Sequence, residues 1–224
     1  MSKRITVAID GPAGAGKSTL ARRLADKLEY LYVDTGAMYR AVALWALRAK
    51  VALSDMHRLE QLAKEAQIEF VPGSRAIILN GEDVSDAIRT AEISEAASQV
   101  SMVPAVRRAM VAKQREIGER ASVVMEGRDI GTVVFPDATV KIFLDAEPDT
   151  RFGRRAVETS QPHDIVAKQL SERDRRDRTR SESPLVQAPD AAYVDTTGLS
   201  IDDVEAALLK IIRERTSNGK ERTE

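Results

Sequence analysis

The segment GPAGAGKS, at residues 11–18, constrains the fold of this 224-residue chain more than any other feature of its sequence. It fits the pattern G-x-x-x-x-G-K-[ST]. A β-branched apolar run at 5–9 precedes it, and apolar residues at helical spacing follow it over 18–29. The glycines let backbone N–H groups turn toward phosphate oxygens, and the positive end of the following helix faces the same anion. The segment therefore predicts a nucleoside triphosphate site between a buried strand and a helix.

The rest of the chain alternates strand and helix patterns, which is typical of a parallel sheet with helices on its faces. Further strands are predicted at 30–33, 122–125, 139–144 and 192–194, and further helices at 37–50, 93–100, 104–120, about 150–180 and 201–215. We expect a single α/β domain over residues 1–224 that ends in a polar, disordered tail at 216–224.

A different pattern interrupts this alternation at about 67–84. Pro72-Gly73-Ser74 and Asn80-Gly81 separate three strand-like pieces. Asn-Gly between extended segments favours a hairpin turn. The pattern predicts a small antiparallel sheet inserted into the α/β fold.

Composition excludes several classes of protein. The chain has 34 Lys and Arg residues against 35 Asp and Glu, a net charge of −1, and no cysteine. Disulfides, thiolate metal ligands and cysteine nucleophiles are therefore excluded. The near-neutral charge disfavours a nucleic-acid binder or a membrane-surface protein. No apolar run is long enough to span a membrane, and the first apolar segment is too short for a signal peptide, so we expect a cytoplasmic location.

The phosphate loop indicates roles for its residues but names no reaction. Lys17 would reach the β- and γ-phosphates, and the Ser18 hydroxyl would hold Mg²⁺. An Asn-Lys-x-Asp segment for reading guanine is absent from the sequence, which disfavours a GTPase. Arginines are spread over several later segments, and guanidinium groups gathered in one cleft suit phosphoryl transfer from ATP to a second phosphorylated molecule. These arginines are Arg40, Arg89, Arg107, Arg108, Arg128, Arg151, Arg154, Arg155, Arg173, Arg175, Arg176, Arg178 and Arg180.

Two alternatives from other classes remain open at this point. A nucleotide-dependent interaction module would keep the phosphate loop but need no second nucleotide pocket. A nucleic-acid binder would use the arginine-rich run at 173–180. The acidic residues within that run and an aromatic content of only 4% speak against the second alternative.

Several separated blocks of the sequence resemble a known family. They are IDGPAGAGKST at 9–19, DTGAMYR at 34–40, DAIR at 86–89, ASQV at 97–100, EGRDIGTVVFPDA at 126–138, KIFLDA at 141–146 and ERDRRDRTR…PL at 172–185. Over about residues 4–213 the chain resembles the bacterial cytidylate kinases, which are ATP-dependent CMP and dCMP kinases of the nucleoside monophosphate kinase group. The resemblance implies a P-loop NTPase-type parallel sheet core, a monophosphate-binding lobe at about 35–110 that carries the insert, and a mobile lid at about 154–172.

The resemblance also implies the site residues, each on a matching position of this chain. For ATP they are Gly11, Pro12, Ala13, Gly14, Ala15, Gly16, Lys17, Ser18, Thr19, Arg154 and Arg155, with Mg²⁺ at Ser18. For the acceptor's phosphate they are Thr35, Arg40, Arg128 and Arg180; for the cytosine ring, Ser98, Arg107 and Asp129; for the ribose hydroxyls, Arg173 and Asp177. Lys17, Arg128 and Arg180 are the implied catalytic residues. Thr35 stands where many relatives have serine, and it keeps the hydroxyl.

Each implied role has a structural alternative. Ser98 and Arg107 could be polar helix surface, and Arg108 could share the task of its neighbour. Arg173 and Asp177 could make ion pairs along an exposed helix. The acceptor could also be UMP or AMP, although the O4 acceptor of uracil would face the Asp129 carboxylate. The expected partners are therefore ATP, CMP and dCMP, bound by a monomer with no nucleic acid and no membrane.

Overall fold

A five-stranded parallel sheet forms the centre of the molecule. The computed structural model describes residues 4–74 and 76–217. The strands of this sheet are β1 (Thr6–Asp10), β2 (Leu31–Asp34), β6 (Val123–Gly127), β7 (Val140–Asp145) and β8 (Ala192–Asp195), in the order β2-β6-β1-β7-β8. The sheet places β1 between β6 and β7. Because both faces are covered, the central strands consist mainly of buried apolar residues.

Eight helices surround the two sheets of the described chain. They are α1 (Lys17–Leu28), α2 (Thr35–Arg48), α3 (Met56–Glu65), α4 (Ala91–Val100), α5 (Pro104–Arg120), α6 (Pro148–Thr159), α7 (His163–Thr179) and α8 (Ile201–Ser217). Leu24 of α1 and Leu208 of α8 pack on one face of the parallel sheet, against Val7 and Ile9. Residues from α5 and from a single π-helical turn at Ile130–Val134 cover the opposite face.

The predicted insert is confirmed as a three-stranded antiparallel sheet. It comprises β3 (Ile68–Phe70), β4 (Ile77–Leu79) and β5 (Glu82–Asp83). Asn80 and Gly81 both have positive φ, 51° and 84°, as a two-residue hairpin turn that follows the twist of its strands requires. The insert packs with α2, α3, α4 and α5 around a second apolar core.

The helices differ from the sequence expectations in three places. Helix α3 was not predicted, although Leu59, Leu62 and Ala63 are buried at helical spacing and Asp55 caps its start. The single helical region predicted at about 150–180 is two helices, separated at Ser160, which has φ of 52°, and Pro162. Helix α8 continues through Ser217, so residues 216 and 217 of the predicted tail are helical, and 218–224 lie outside the described residues. None of the described helices is long and apolar enough to cross a membrane.

Gly11 should be indispensable for joining the phosphate loop to the sheet. Its φ is 147°, and a Cβ at this position would lie 1.9 Å from the backbone oxygen of Leu144 in β7. We expect Gly11→Ala to lower the free energy of unfolding by about 3 kcal/mol or more, because strain and overpacking add. Urea denaturation measures this loss.

Gly153→Ala is the matched control for that measurement. Gly153 lies within α6, and no described atom approaches a Cβ there within 4 Å. The control should gain about 0.5–1 kcal/mol from helix propensity. Equal stabilities of the two variants would contradict the packing argument at Gly11.

Candidate functional site

The phosphate loop, residues 11–16, turns tightly between β1 and α1. Gly14 and Gly16 adopt positive φ, 79° and 90°. The Lys17 side chain that follows is only 5% exposed, and its Nζ donates a hydrogen bond to the Pro12 carbonyl at 2.6 Å. Burial and the guanidinium of Arg128 lower the pKa of Lys17 to about 7. The loop thus holds a cation in a place where water solvates it poorly and where an anion would restore its charged form.

Glu126, which was not predicted as a site residue, lies beside this lysine. It is 4% exposed at the end of β6, and its Oε1 accepts a hydrogen bond from the Tyr32 hydroxyl at 2.6 Å. Burial and the nearby Asp34 raise the pKa of Glu126, while Lys17 and a hydrogen bond from Ser18 oppose this shift. The available signal was a carboxylate directly at the end of a buried strand, where ligands of parallel sheets bind.

Ser18 and Glu126 form a pair of oxygen ligands that fits Mg²⁺. A magnesium ion at a phosphate site takes one or two protein oxygens and completes its shell with phosphates and water. Among residues 4–74 and 76–217, no group of three or more His, Cys, Asp or Glu side chains could hold a metal by itself. The residues present therefore suit a metal that arrives with a nucleotide.

The carboxyl end of β2 positions Thr35 and Arg40. The Asp34 carboxylate caps α2 by accepting from the Ala37 N–H, and it also accepts from Arg40 Nη2 at 2.8 Å. Burial raises the pKa of Asp34, but Arg40 and the capping bond outweigh it and hold that pKa below its usual value. The Thr35 hydroxyl donates to the Glu126 carbonyl at 2.7 Å. The buried Nε of Arg40 has no hydrogen-bond partner among the described residues, and the Arg40 side chain lines the cavity described below.

A buried network of acids and arginines lies next to this corner. The Asp129 carboxylate contacts Arg107 at 2.5 Å and Arg180 at 3.8 Å. The Asp177 carboxylate contacts Arg128 at 2.8 Å and Arg180 at 3.5 Å. Buried charges need such partners because desolvation is costly. Two helices, α5 and α7, the residue directly after α7 and the segment after β6 thus bring together five predicted site residues.

Asp10, at the end of β1, fixes the backbone on which Asp129 lies. Its two carboxylate oxygens accept from the N–H groups of Ile130 and Gly131 at 2.8 and 2.7 Å. Burial raises the pKa of Asp10 to about 6, against these hydrogen bonds. The strand that leads into the phosphate loop therefore also sets the position of the predicted cytosine contact.

Ser98 is buried on α4 and faces Arg176, an arginine to which the sequence assigned no individual role. Its Oγ accepts a hydrogen bond from Arg176 Nη1 at 3.0 Å, and the same nitrogen pairs with Glu95 at 2.8 Å. Arg108, the alternative to Arg107, has a 64% exposed side chain that pairs with Glu182. The structure therefore turns Arg107 inward and Arg108 outward.

The two adjacent arginines of α6 lie in different surroundings. Arg155 lines a cavity at the carboxyl edge of the sheet, which is described below, and pairs with Glu158 at 2.8 Å. Arg154 lies outside this cavity, because its two terminal nitrogens donate to the hydroxyl and the carbonyl of Thr196 at 2.8 and 2.7 Å. The structure therefore does not bring Arg154 together with the other predicted nucleotide contacts.

A cavity of about 770 Å³ opens at the carboxyl edge of the sheet. Its volume is typical of small-molecule sites. Of the predicted site residues, those that line it are Ser18, Thr19, Arg40, Arg155 and Arg173. Burial and Arg128 lower the pKa of Arg173 to about 10. The cavity thus lies at the start of α1, just after the phosphate loop, and arginines outnumber acids in its lining, which predicts anionic ligands.

Comparison with known proteins identifies the family. A family model described as Cytidylate kinase matches residues 7–214. The chain belongs to the cytidylate kinase family. This membership confirms the resemblance drawn from the sequence blocks and makes the chain a nucleoside monophosphate kinase.

Individual relatives agree with the family assignment. The chain is 63% identical to a cytidylate kinase of Solibacter usitatus (strain Ellin6076), with 98% of this chain and 97% of the relative covered. It is 47% identical to a cytidylate kinase of Ligilactobacillus salivarius (strain UCC118), with 96% and 99% covered. Among solved structures, a gluconokinase from Sinorhizobium meliloti 1021 superposes with a TM-score of 0.54 at 13% identity, covering 99% of this chain and 100% of that chain. The last likeness shows a shared fold and nothing more.

The buried charge of Lys17 should cost this kinase stability. Its folded-state pKa of about 7 lies below the ordinary value of 10.5, so the penalty is complete below pH 7 and shrinks as the pH rises toward 10.5. We expect Lys17→Met to raise the free energy of unfolding at pH 6.5 by a few kcal/mol, on the order of magnitude of the shift, and the gain to shrink at pH 9.5.

Urea denaturation at both pH values tests this expectation. Lys168→Met, at an exposed position on α7, is the control and should stay within about 0.5 kcal/mol of the parent. A Lys17→Met variant that is no more stable than the parent at pH 6.5, or whose gain in stability grows with pH, would contradict the conclusion that burial of the charged Lys17 destabilises the fold.

Proposed function

We propose that the chain transfers the γ-phosphoryl group of ATP to CMP or dCMP and releases ADP with CDP or dCDP. One observation carries this proposal: one cavity is lined both by Ser18 and Thr19, which follow the phosphate loop, and by Arg173 of α7, the helix whose Asp177 belongs to a separate buried set of acids and arginines. A phosphate loop alone occurs in many classes of nucleotide-binding protein and does not identify the reaction. The second set, which includes Asp129, is what an acceptor nucleotide needs. We further propose a monomeric, cytoplasmic enzyme that acts on free nucleotides.

The ATP end of the site consists of the loop and the start of α1. The backbone of residues 11–16, together with Lys17, Ser18 and Thr19, would hold the triphosphate. Arg155 lines the cavity and would approach the phosphates. Arg154 contributes from outside by holding Thr196, whose hydroxyl donates to the Ala15 carbonyl of the loop at 3.3 Å.

The base end consists of Asp129, Arg107 and Ser98. Cytosine presents an amino donor at N4 and acceptors at N3 and O2. A carboxylate that accepts from N4 and a guanidinium that donates to the ring acceptors complement this pattern. Uracil places an acceptor where cytosine has N4, so the carboxylate would face a like partner. This chemistry favours CMP and dCMP over UMP.

Arginines hold the reacting phosphate, and Asp177 and Arg173 hold the ribose hydroxyls. Thr35, Arg40, Arg128 and Arg180 would contact the α-phosphate of the acceptor. One of its oxygens attacks the γ-phosphorus in line, and the bond from that phosphorus to the β-phosphate oxygen breaks. The second pKa of a phosphate monoester is near 6, so the attacking oxygen is mostly deprotonated at neutral pH without a protein base.

Catalysis then depends on position and on charge. Lys17, Arg128 and Arg180 would neutralise the negative charge that spreads over the transferred group. Mg²⁺, held by Ser18 and Glu126, would add positive charge at the phosphates of ATP. The helical pair α6 and α7 includes the predicted lid at 154–172, and its closure would exclude water as a competing acceptor.

A substrate panel tests the proposed function. ADP release from Mg-ATP is measured with CMP, dCMP, UMP, AMP, GMP or no acceptor. We expect release to depend on the acceptor and kcat/KM for CMP to exceed that for UMP by about 10²-fold or more, because a mismatched buried polar group is costly. ADP release that ignores the acceptor would support a nucleotide-dependent interaction module instead.

Substitution of Asp129 tests the assignment of the cytosine contact. We expect Asp129→Ala to reduce kcat/KM for CMP by about 10–100-fold, which corresponds to the loss of a hydrogen bond to a charged group, with a much smaller change in the KM for ATP. Asp129→Asn keeps the volume and supplies an amide donor, so it should narrow the preference for CMP over UMP. Steady-state kinetics with both acceptors measures these effects.

Asp137→Ala is the matched control, because Asp137 is exposed in the same segment. This substitution should leave kcat/KM for CMP and the KM for ATP unchanged. Removal of Asp129 leaves buried Arg107 and Arg180 without this partner, so the folded fraction of each variant is checked first by circular dichroism. Equal losses for CMP and ATP in folded protein would contradict the assignment.

A further inference from the structure

Arg151 of α6 connects three parts of the molecule and has no role in the function proposed so far. The residue is 4% exposed. Its Nη1 donates to the Ala13 carbonyl of the phosphate loop at 3.0 Å and to the Asp174 carboxylate of α7 at 2.6 Å. Its Nε donates to the Ala146 carbonyl, just after β7, at 3.1 Å. One guanidinium thus ties the loop to the sheet and to α7.

Asp174 lies on the helix that carries the predicted ribose contacts. Arg173, its neighbour, lines the cavity, and Asp177, one turn further along α7, pairs with Arg128. Residues three apart lie on nearly the same side of a helix. The bond between Arg151 and Asp174 therefore fixes how α7 is rotated about its axis and where it lies along that axis. This in turn fixes the positions of Arg173 and Asp177.

Apolar packing brings the same two elements into contact. Ala13 of the loop packs in one buried cluster with Val166 and Leu170 of α7. On the other side of the loop, a Cβ at Gly14 would lie 2.7 Å from the backbone oxygen of Arg151. The loop is therefore enclosed between α6 and α7, and a shift of its backbone cannot leave α7 undisturbed, because packed interiors transmit displacement.

The ion pair is poorly explained by stability alone. Burying two charges costs desolvation that apolar residues of similar volume would avoid. In addition, the second carboxylate oxygen of Asp174 is buried with no hydrogen-bond partner in the part of the chain that the structure describes. An ion pair that costs this much desolvation but has a fixed direction suits a role in positioning α7.

We propose that Arg151 is a positioning residue that couples the ATP site to the acceptor site. Binding of a triphosphate in the loop fixes the position of the Ala13 carbonyl, and the Arg151 guanidinium moves with it. Through its bond to Asp174, Arg151 then shifts α7 into the position in which Arg173 and Asp177 contact the acceptor. ATP and CMP then strengthen each other's binding. This inference rests on the proposed function and adds to it a path between the two nucleotides.

Calorimetric titration of CMP tests the coupling. The Kd for CMP is measured alone and with a saturating, non-hydrolysable Mg-ATP analogue, and the ratio of the two values is the coupling factor. We expect a wild-type factor of about 5–150. Arg151→Lys loses the fork that reaches both partners, and Asp174→Asn loses the charge with little change in volume. Both variants should bring the factor within about twofold of one.

Arg175→Met is the matched control. Arg175 is exposed on the same helix and bonds to Glu172, so this substitution should leave the coupling factor unchanged. The double variant Arg151→Lys with Asp174→Asn should lose no more coupling than either single variant, because the two residues act through one contact. If Arg151→Lys does not fold, Asp174→Asn alone carries the test.

Other outcomes would overturn the inference. A wild-type factor of one, or variants that weaken both affinities while the factor stays at the wild-type value, would reduce Arg151 to a structural residue. In those cases CMP phosphorylation by the wild-type chain would still uphold the proposed function. A wild-type chain that does not phosphorylate CMP would remove the proposed function and the coupling together.

Discussion

The site depends on positive charge collected where water solvates it poorly. Lys17 and Arg173 lie close to Arg128, and burial together with this like charge lowers the pKa of Lys17 to about 7 and that of Arg173 to about 10. Such an arrangement costs folding free energy. The arrangement becomes favourable when ligands bind, since phosphates supply the negative charge that this cluster of cations lacks. The surrounding acids offset only part of the repulsion, which leaves a strong preference for anions.

The parallel sheet makes this concentration of charge possible. The carboxyl ends of its strands lie at one edge, so Asp10, Asp34 and Glu126 come together from β1, β2 and β6. Each of these acids binds a neighbouring segment: Asp10 holds the backbone after Asp129, Asp34 caps α2, and Glu126 accepts from Tyr32. The scaffold thus positions the cations through acids that are themselves held at strand ends.

Sequence patterns predicted the parts of the molecule that local chemistry determines. The phosphate loop, the alternation of strands and helices typical of a parallel sheet and the Asn80-Gly81 hairpin each follow from residues close together in the chain. Helix α3 carried the same kind of signal at Leu59 and Leu62 and was overlooked. The break at Ser160 was obscured by charged residues that favour helix on both sides, although Pro162 marked it.

Contacts between distant segments could not be read in this way. The bond from Arg154 to Thr196 joins residues 42 positions apart, and the bond from Arg151 to Ala13 joins residues 138 apart. A sequence shows that a helix is rich in arginine, but the partner of each guanidinium depends on tertiary packing. For the same reason Arg107 and Arg108, which are adjacent and chemically identical, differ completely in burial.

In the proposed function, discrimination between pyrimidines requires an Asp129 carboxylate that cannot turn away from a wrong base. Its carboxylate is held by Arg107 at 2.5 Å and faces Arg180 at 3.8 Å, and Asp10 holds the two N–H groups that follow it. A mobile carboxylate would rotate and accommodate uracil at little cost. A fixed carboxylate would face the O4 of uracil, and neither acceptor would then have a donor. Rigidity therefore converts a difference of one functional group into a difference in rate. In that case the acids and arginines around Asp129 contribute to specificity as much as the carboxylate that would touch the base.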